Sequence, residues 1–132
     1  MKKIVCGVLM GAIVIAGQTF AGDFSSSCKN IHLSGSTLKA SCQKAVGGVW
    51  AGESSINLND HIGNRNGALI WDKKNFDDHC ENKSLAGPDK PSYPPKLFLK
   101  AQCRNDNKVY VNAEINLNER ISNIDGKLKY DQ

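Results

Sequence analysis

The chain carries one stretch of itself twice, and any fold it adopts must accommodate two copies of the same pattern. Ile56 to Trp71 aligns without gaps on Ile115 to Tyr130, and eight of the sixteen positions are identical. Two shorter matches keep the same order. Phe24, Cys28 and Asn30 recur as Phe76, Cys80 and Asn82, and Leu38 to Cys42 recurs as Leu99 to Cys103. A shared order of three matches marks an internal repeat. The repeats run from about 24 to 75 and from 76 to 130.

Residues 1–21 read as a leader. Lys2 and Lys3 give a positive start, Ile4 to Gly17 is apolar or small, and Thr19 and Ala21 stand at the small-residue positions before a cut. This is the layout of a secretory signal peptide. The apolar run is shorter than the ~20 residues of a membrane span, and Cys6 lies too early for a lipoprotein cut. Removal near Ala21 leaves Gly22 to Gln132, 111 residues, the size of one domain. A secreted or periplasmic protein without a membrane anchor is expected. Without Lys2 and Lys3, the 17 basic residues become 15 against 13 acids, a net +2. The bases are scattered, so a nucleic-acid footprint is not supported.

Four cysteines remain: Cys28, Cys42, Cys80 and Cys103. An even number behind a leader reads as two disulfides. Their wide spacing lacks the close clusters of a zinc site, and neither metal nor cofactor is expected. Exchanging the repeats leaves all three connectivities unchanged, so symmetry does not choose among them. Loop-closure entropy favours the local pairs.

Short alternating runs indicate strands. Ile31 and Leu33 flank His32, Leu38, Ala40 and Cys42 alternate with polar residues, and Val109, Val111 and Ala113 do the same. Asn66-Gly67 and Asp125-Gly126 favour type I′ hairpin turns, and Ser34 to Ser36 reads as another turn. Short helical turns are expected near Phe24 to Cys28 and Phe76 to Cys80, with Asn75 as an N-cap. The fold class is mainly β and antiparallel. A Pro-rich insertion at 86–95 reads as an exposed loop, because proline cannot donate to a central ladder. Trp71 and Tyr130 share one repeat position and read as core. Trp50 falls in a loop where it is free to stack on a ligand.

Chemistry-bearing clusters are absent. His32, His61 and His79 are scattered, Asp77 and Asp78 belong to a turn, and Ser25 to Ser27 lacks a partnered base. The sequence does not read as an enzyme. Asparagine is abundant around the repeated turns, at 57, 59, 64, 66, 116, 118 and 123. Asn suits turns through bonds to backbone, and its amide also donates and accepts, as sugar hydroxyls require.

Taken in order, Phe24 to Asn30, Leu38 to Cys42, Gly47-Gly48, Ile56 to Trp71, Asn75-Phe76, Cys80 to Gly87, Leu99 to Cys103 and Ile115 to Tyr130 resemble the cyanovirin-N homology family. The resemblance implies an elongated, pseudo-symmetric fold of two repeats that exchange segments, with pairs Cys28–Cys42 and Cys80–Cys103. It implies a lectin whose partners are mannose-containing oligosaccharides or glycoproteins, bound at two opposite ends. The first end would comprise Asp23, Ser26, Ser27, Gln43, Asn123, Ile124, Asp125 and Gly126. The second would comprise Asn64, Asn66, Asn75, Asp78, His79 and Lys108. Departures stand at four of the family's positions: Gln43 for a glutamate, Ala45 for a threonine, Gly63 where an acid is expected, and Asp106 where a base is expected. They keep alive the alternative of an interaction module that retained the fold and lost sugar binding. A monomer is expected, with a segment-swapped dimer through Asp72 to Asn75 as the other form.

Overall fold

The computed structural model describes residues 22–132; the expected leader at 1–21 lies outside the described residues. Strands β1 (Cys28–Ser34), β2 (Thr37–Cys42) and β3 (Ser54–Asn57) form one antiparallel sheet, and β4 (Ile62–Arg65) pairs with β5 (Ala68–Trp71) as a hairpin. The second repeat does the same with β6 (Cys80–Ala86), β7 (Phe98–Arg104) and β8 (Tyr110–Asn116), followed by hairpin β9 (Ile121–Ile124) and β10 (Lys127–Tyr130). Single 3-10 turns lie at Phe24–Ser26, Leu58–Asp60, Phe76–Asp78 and Leu117–Glu119. The disulfides join Cys28 to Cys42 and Cys80 to Cys103, each pair directly opposite in its sheet. Loops of 14 and 23 residues so closed are each worth about 3 kcal/mol.

The repeats exchange their hairpins. β5 packs on β8, and β10 packs on β3, where the Leu128 amide donates to Ser54 Oγ at 3.0 Å. The core is duplicated as well: Phe24 and Phe76, Leu38 and Leu99, Leu58 and Leu117, and Ile62 and Ile121 are all fully buried. Equivalent residues of both copies therefore share one cluster, so neither repeat keeps its apolar face covered alone.

Both hairpin turns have the conformation their sequence favours. Asn66 and Gly67 lie at φ 49° and 86°, and Asp125 and Gly126 at 51° and 90°, as a type I′ turn requires. The Asn75 expectation needs correction. Asn75 precedes the 3-10 turn but sits at φ 65° and makes no side-chain cap bond. Its tolerance of the left-handed region, shared by Asp23 at φ 60°, accounts for its identity. Val109 also falls outside its expected strand, because the Asn105 side chain holds its amide in the preceding turn.

Trp71 and Tyr130 are half-buried; Trp71 packs against the core from its edge, whereas Tyr130 lies outside it. They meet at the joint between repeats, with ring centroids 5.8 Å apart. His61 stacks on Tyr130 at 4.1 Å, and Trp71 Nε1 donates to Glu119. Asp72, first residue of the linker, accepts from the Tyr130 hydroxyl and from Arg120 Nη2 at 2.8 Å. A polar tip on each ring keeps the pair at the surface.

This cluster is expected to lower stability in acid. The bond from Tyr130, then that from Arg120, hold the Asp72 carboxyl below its usual 3.8. Burial lowers His61 below 6.5, with Asp60, Lys74 and Asp72 as its charged neighbours. A depressed folded pKa gives stability that is complete above the unfolded value and lost as pH falls through the folded one. Both groups act in this sense. The thermal midpoint is expected to fall first below pH 6.5 and again below pH 3.8. His61→Gln should flatten only the first step, as followed by circular dichroism.

Candidate functional site

The two ends of the molecule are built by closely matching hydrogen bonds. At the first end, Asn123 Nδ2 donates to Ser27 Oγ and to the Gln43 carbonyl, both at 2.9 Å, while Asn123 Oδ1 accepts from the Gly126 amide at 2.8 Å. Asp125 Oδ1 accepts from the Ala45 amide at 3.1 Å. At the second end, Asn64 Nδ2 donates to the Arg104 carbonyl at 2.8 Å, and Asn64 Oδ1 accepts from the Gly67 amide at 2.9 Å. Asn66 Oδ1 accepts from the Asp106 amide at 2.8 Å. Each hairpin tip is thus clipped to the opposite repeat, beside that repeat's disulfide. The amide of Gln43 reaches the Ser27 carbonyl, and that of Arg104 reaches the His79 carbonyl, each at 2.9 Å. The first 3-10 turn, the loop after β2 and the second hairpin tip therefore converge.

This geometry assigns the asparagines. Asn57 and Asn116 accept from the amides of Asn59 and Asn118 and so cap the 3-10 turns. Asn59 and Asn118 accept from the amides of Asp77 and Ser25 across the repeat boundary. Every asparagine of the repeated run bonds within the protein. Their abundance is structural, and a ligand meets what the clips leave over: the outer carboxylate oxygen of Asp125, the Asn66 amide nitrogen and second lone pairs on carbonyls.

The predicted first-end residues come together. Ser26 Oγ donates to the Asp23 carbonyl at 2.8 Å, closing the turn on which both sit. Beside the tip lies an open depression of about 490 Å³, reached by Asp125 and Gly126 and walled by Lys44, Gly52, Glu53 and Lys127. A Cβ on Gly126 would lie 2.7 Å from Ala51 Cβ, so the tip seats without room for a side chain. Exposed apolar side chains occur on the loop after β2 and at the tip: Val46 is 83%, Val49 60%, Trp50 41% and Ile124 38% exposed. Trp50 bridges Gln43 across the strand pair, which puts both side chains on one face. Lys29 Nζ stands 4.3 Å from its ring centroid.

At the second end a depression of about 400 Å³ is lined by Asn64, Arg65, Asn66, Lys73, Lys74 and Asp106, together with Gly63 and Ile70. Of the predicted residues, Asn75, Asp78, His79 and Lys108 lie outside that lining. His79 is tied to the neighbouring loop through Arg104 Nη2, 3.2 Å from its Nδ1. Gly63 is buried, and a Cβ there would lie 2.4 Å from Lys73 Cβ. It is therefore not a wall lacking an acid: the linker occupies that space and brings Lys73 and Lys74 to the rim. Arg65, Lys73 and Lys74 escaped the sequence reading. Setting Arg65 against its repeat partner Ile124 was the available signal. Among the described residues no group of three or more metal-ligating side chains is present.

A family model described as the CVNH domain matches residues 24–129. Solved structures of similar shape include GzCVNH from Gibberella zeae, 31% identical, with TM-score 0.73 over 84% of this chain and 99% of that one. A microvirin:mannobiose complex is 28% identical, with TM-score 0.67 over 81% of this chain and 96% of that one. A MoCVNH3 variant in complex with (N-GlcNAc)4 is 21% identical, TM-score 0.69, covering 86% and 99%, and is alike in fold.

Proposed function

The chain belongs to the CVNH family, whose members are lectins rather than enzymes, and from that premise we propose that it is a secreted or periplasmic lectin for terminal mannose units of high-mannose glycans. The clipped tip Asn123-Ile124-Asp125-Gly126 carries the reading, with Gln43 and the Asp23 to Ser27 turn beside it. It offers fixed backbone groups and one outer carboxylate oxygen, with the exposed Trp50 ring on the neighbouring loop suited to the C–H face of a sugar ring. Similarity to a protein solved with mannobiose supports mannose as the sugar. The signal-peptide layout of residues 1–21 and two disulfides support secretion. Each hydrogen bond adds only ~0.5–1.5 kcal/mol net, so a single end binds modestly.

A glycan array probed with the oxidised protein tests this. Among neutral glycans, signal on the mannose-terminated ones is expected. A blank array from folded protein favours an interaction module instead, with Tyr93, 96% exposed on the Pro-rich loop, as its natural contact. In a Trp71→Phe background, the remaining Trp50 emission should shift on adding mannobiose, and an unchanged spectrum removes Trp50 from the site.

We propose that the protein is a monomer held by the Asp72, Arg120 and Tyr130 contacts at the linker. Asp72→Ala is expected to raise the dimer fraction after refolding at high concentration, read by size exclusion. A wild-type profile dominated by dimer at low concentration contradicts the monomer.

A further inference from the structure

We infer that the second end takes an acidic saccharide, one whose ring carries a carboxylate, while the first end takes a neutral one. The inference rests on the carbohydrate reading above and adds a ligand class for one site.

The internal repeat supplies the comparison. The two ends share the same tip clips apart from the Asn123 bond to Ser27 Oγ, so differences at equivalent exposed positions change the surface that a ligand meets. Ile124 at the first tip is Arg65 at the second, and Gly22 before the first turn is Lys74 before the second. Gln43 becomes Arg104. Asp125, a carboxylate at the first tip, becomes the neutral Asn66 while keeping the same bond to backbone. That last change removes the group that would repel an acid. Other changes run the other way: Ala45 to Asp106, Ser25 and Ser26 to Asp77 and Asp78, Lys44 to Asn105 and Lys127 to Ala68. Of the charged residues gained at this end, Asp106, Arg65 and Lys74 line the depression together with Lys73, whereas Arg104, Asp77 and Asp78 do not, so three cations face one carboxylate there.

None of those three cations forms an ion pair among the described residues, although Lys73 and Lys74 also border the neighbouring depression that holds Asp60 and Asp72. The ion pairs among the described residues are His32–Glu53, Lys83–Asp77 and Arg120–Asp72. The close packing of Gly63 on Lys73 fixes the base of the linker against β4, so the two lysines project from a rigid edge. An arginine and two lysines around a concave surface, with amide groups at its floor, match a carboxylate among hydroxyls: the cations take the charge, and Asn66 takes a neighbouring hydroxyl. A neutral hexose would leave the cations without a counter-group.

Titration calorimetry with a mannuronate tetrasaccharide and the neutral mannose tetrasaccharide tests this. Wild-type protein is expected to bind the acidic oligomer, and Lys73→Ala/Lys74→Ala should weaken that binding by about tenfold or more while leaving neutral binding unchanged. Arg65→Glu should act in the same sense, and Lys100→Ala, on another surface, should not. Raising salt should weaken the acidic ligand selectively. Amide shifts should cluster at Asn64 and Asn66 for the acid, and at Asn123 and Asp125 for the neutral sugar. Equal affinities, equal losses in Lys100→Ala, or acidic shifts at the first end overturn the inference and leave the lectin reading standing. No binding of either oligomer overturns both.

Discussion

Phe24→Ala and Phe76→Ala should each destabilise the protein by about 3–5 kcal/mol, as large-to-small changes at fully buried aromatic positions do. Both side chains have 0% exposure and begin the matching 3-10 turns of the two repeats. A domain of this size has about 5–15 kcal/mol in total, so either change brings it near unfolding at ambient temperature. The losses should be similar, because the two sites are equivalent in the duplicated core. Chemical denaturation with the disulfides intact measures this. A loss below about 1 kcal/mol at either position would mean that the cluster does not hold the repeats together.

Asn123→Ala is the matching expectation for function. It deletes both donors to Ser27 Oγ and the Gln43 carbonyl and the acceptor for the Gly126 amide. Three partly buried groups lose their partner, worth about 1–3 kcal/mol of stability, and the tip loses its seat. First-end binding should drop by more than about tenfold, roughly 1.4 kcal/mol. Asn123→Asp keeps an acceptor for Gly126 while losing the donor to Gln43, and should fall between. Unchanged sugar binding in Asn123→Ala would show that the tip is not part of the site.

Much of the fold was legible because the chain repeats itself. The cysteines, the Asn66-Gly67 and Asp125-Gly126 turns and the alternating strands all report local chemistry, and local chemistry is written in adjacent residues. The exchange of hairpins was not legible from spacing. It depends on which sheet a hairpin covers, and Leu69 and Leu128 would be apolar on either. The site was legible in its membership and not in its division of labour. Sequence shows that Asn64 and Asn123 have amides to offer, but only the docked tip shows those amides already bonded to Arg104 and Gln43. Gly63 was read as a missing acid, yet its identity answers to the packed linker. Trp71 and Tyr130 read as core from their shared repeat position, whereas the structure packs Trp71 on the core's edge and bonds the polar tips of both rings at the joint.

The claim on which the rest depends is that the clipped hairpin tips bind sugar. Calorimetric titration of the oxidised protein with mannobiose, alongside Asp125→Ala, tests it most directly. Saturable heat in the wild type, lost at the first end in the variant, is the predicted result. No heat from folded protein, or heat that Asp125→Ala leaves untouched, would contradict it.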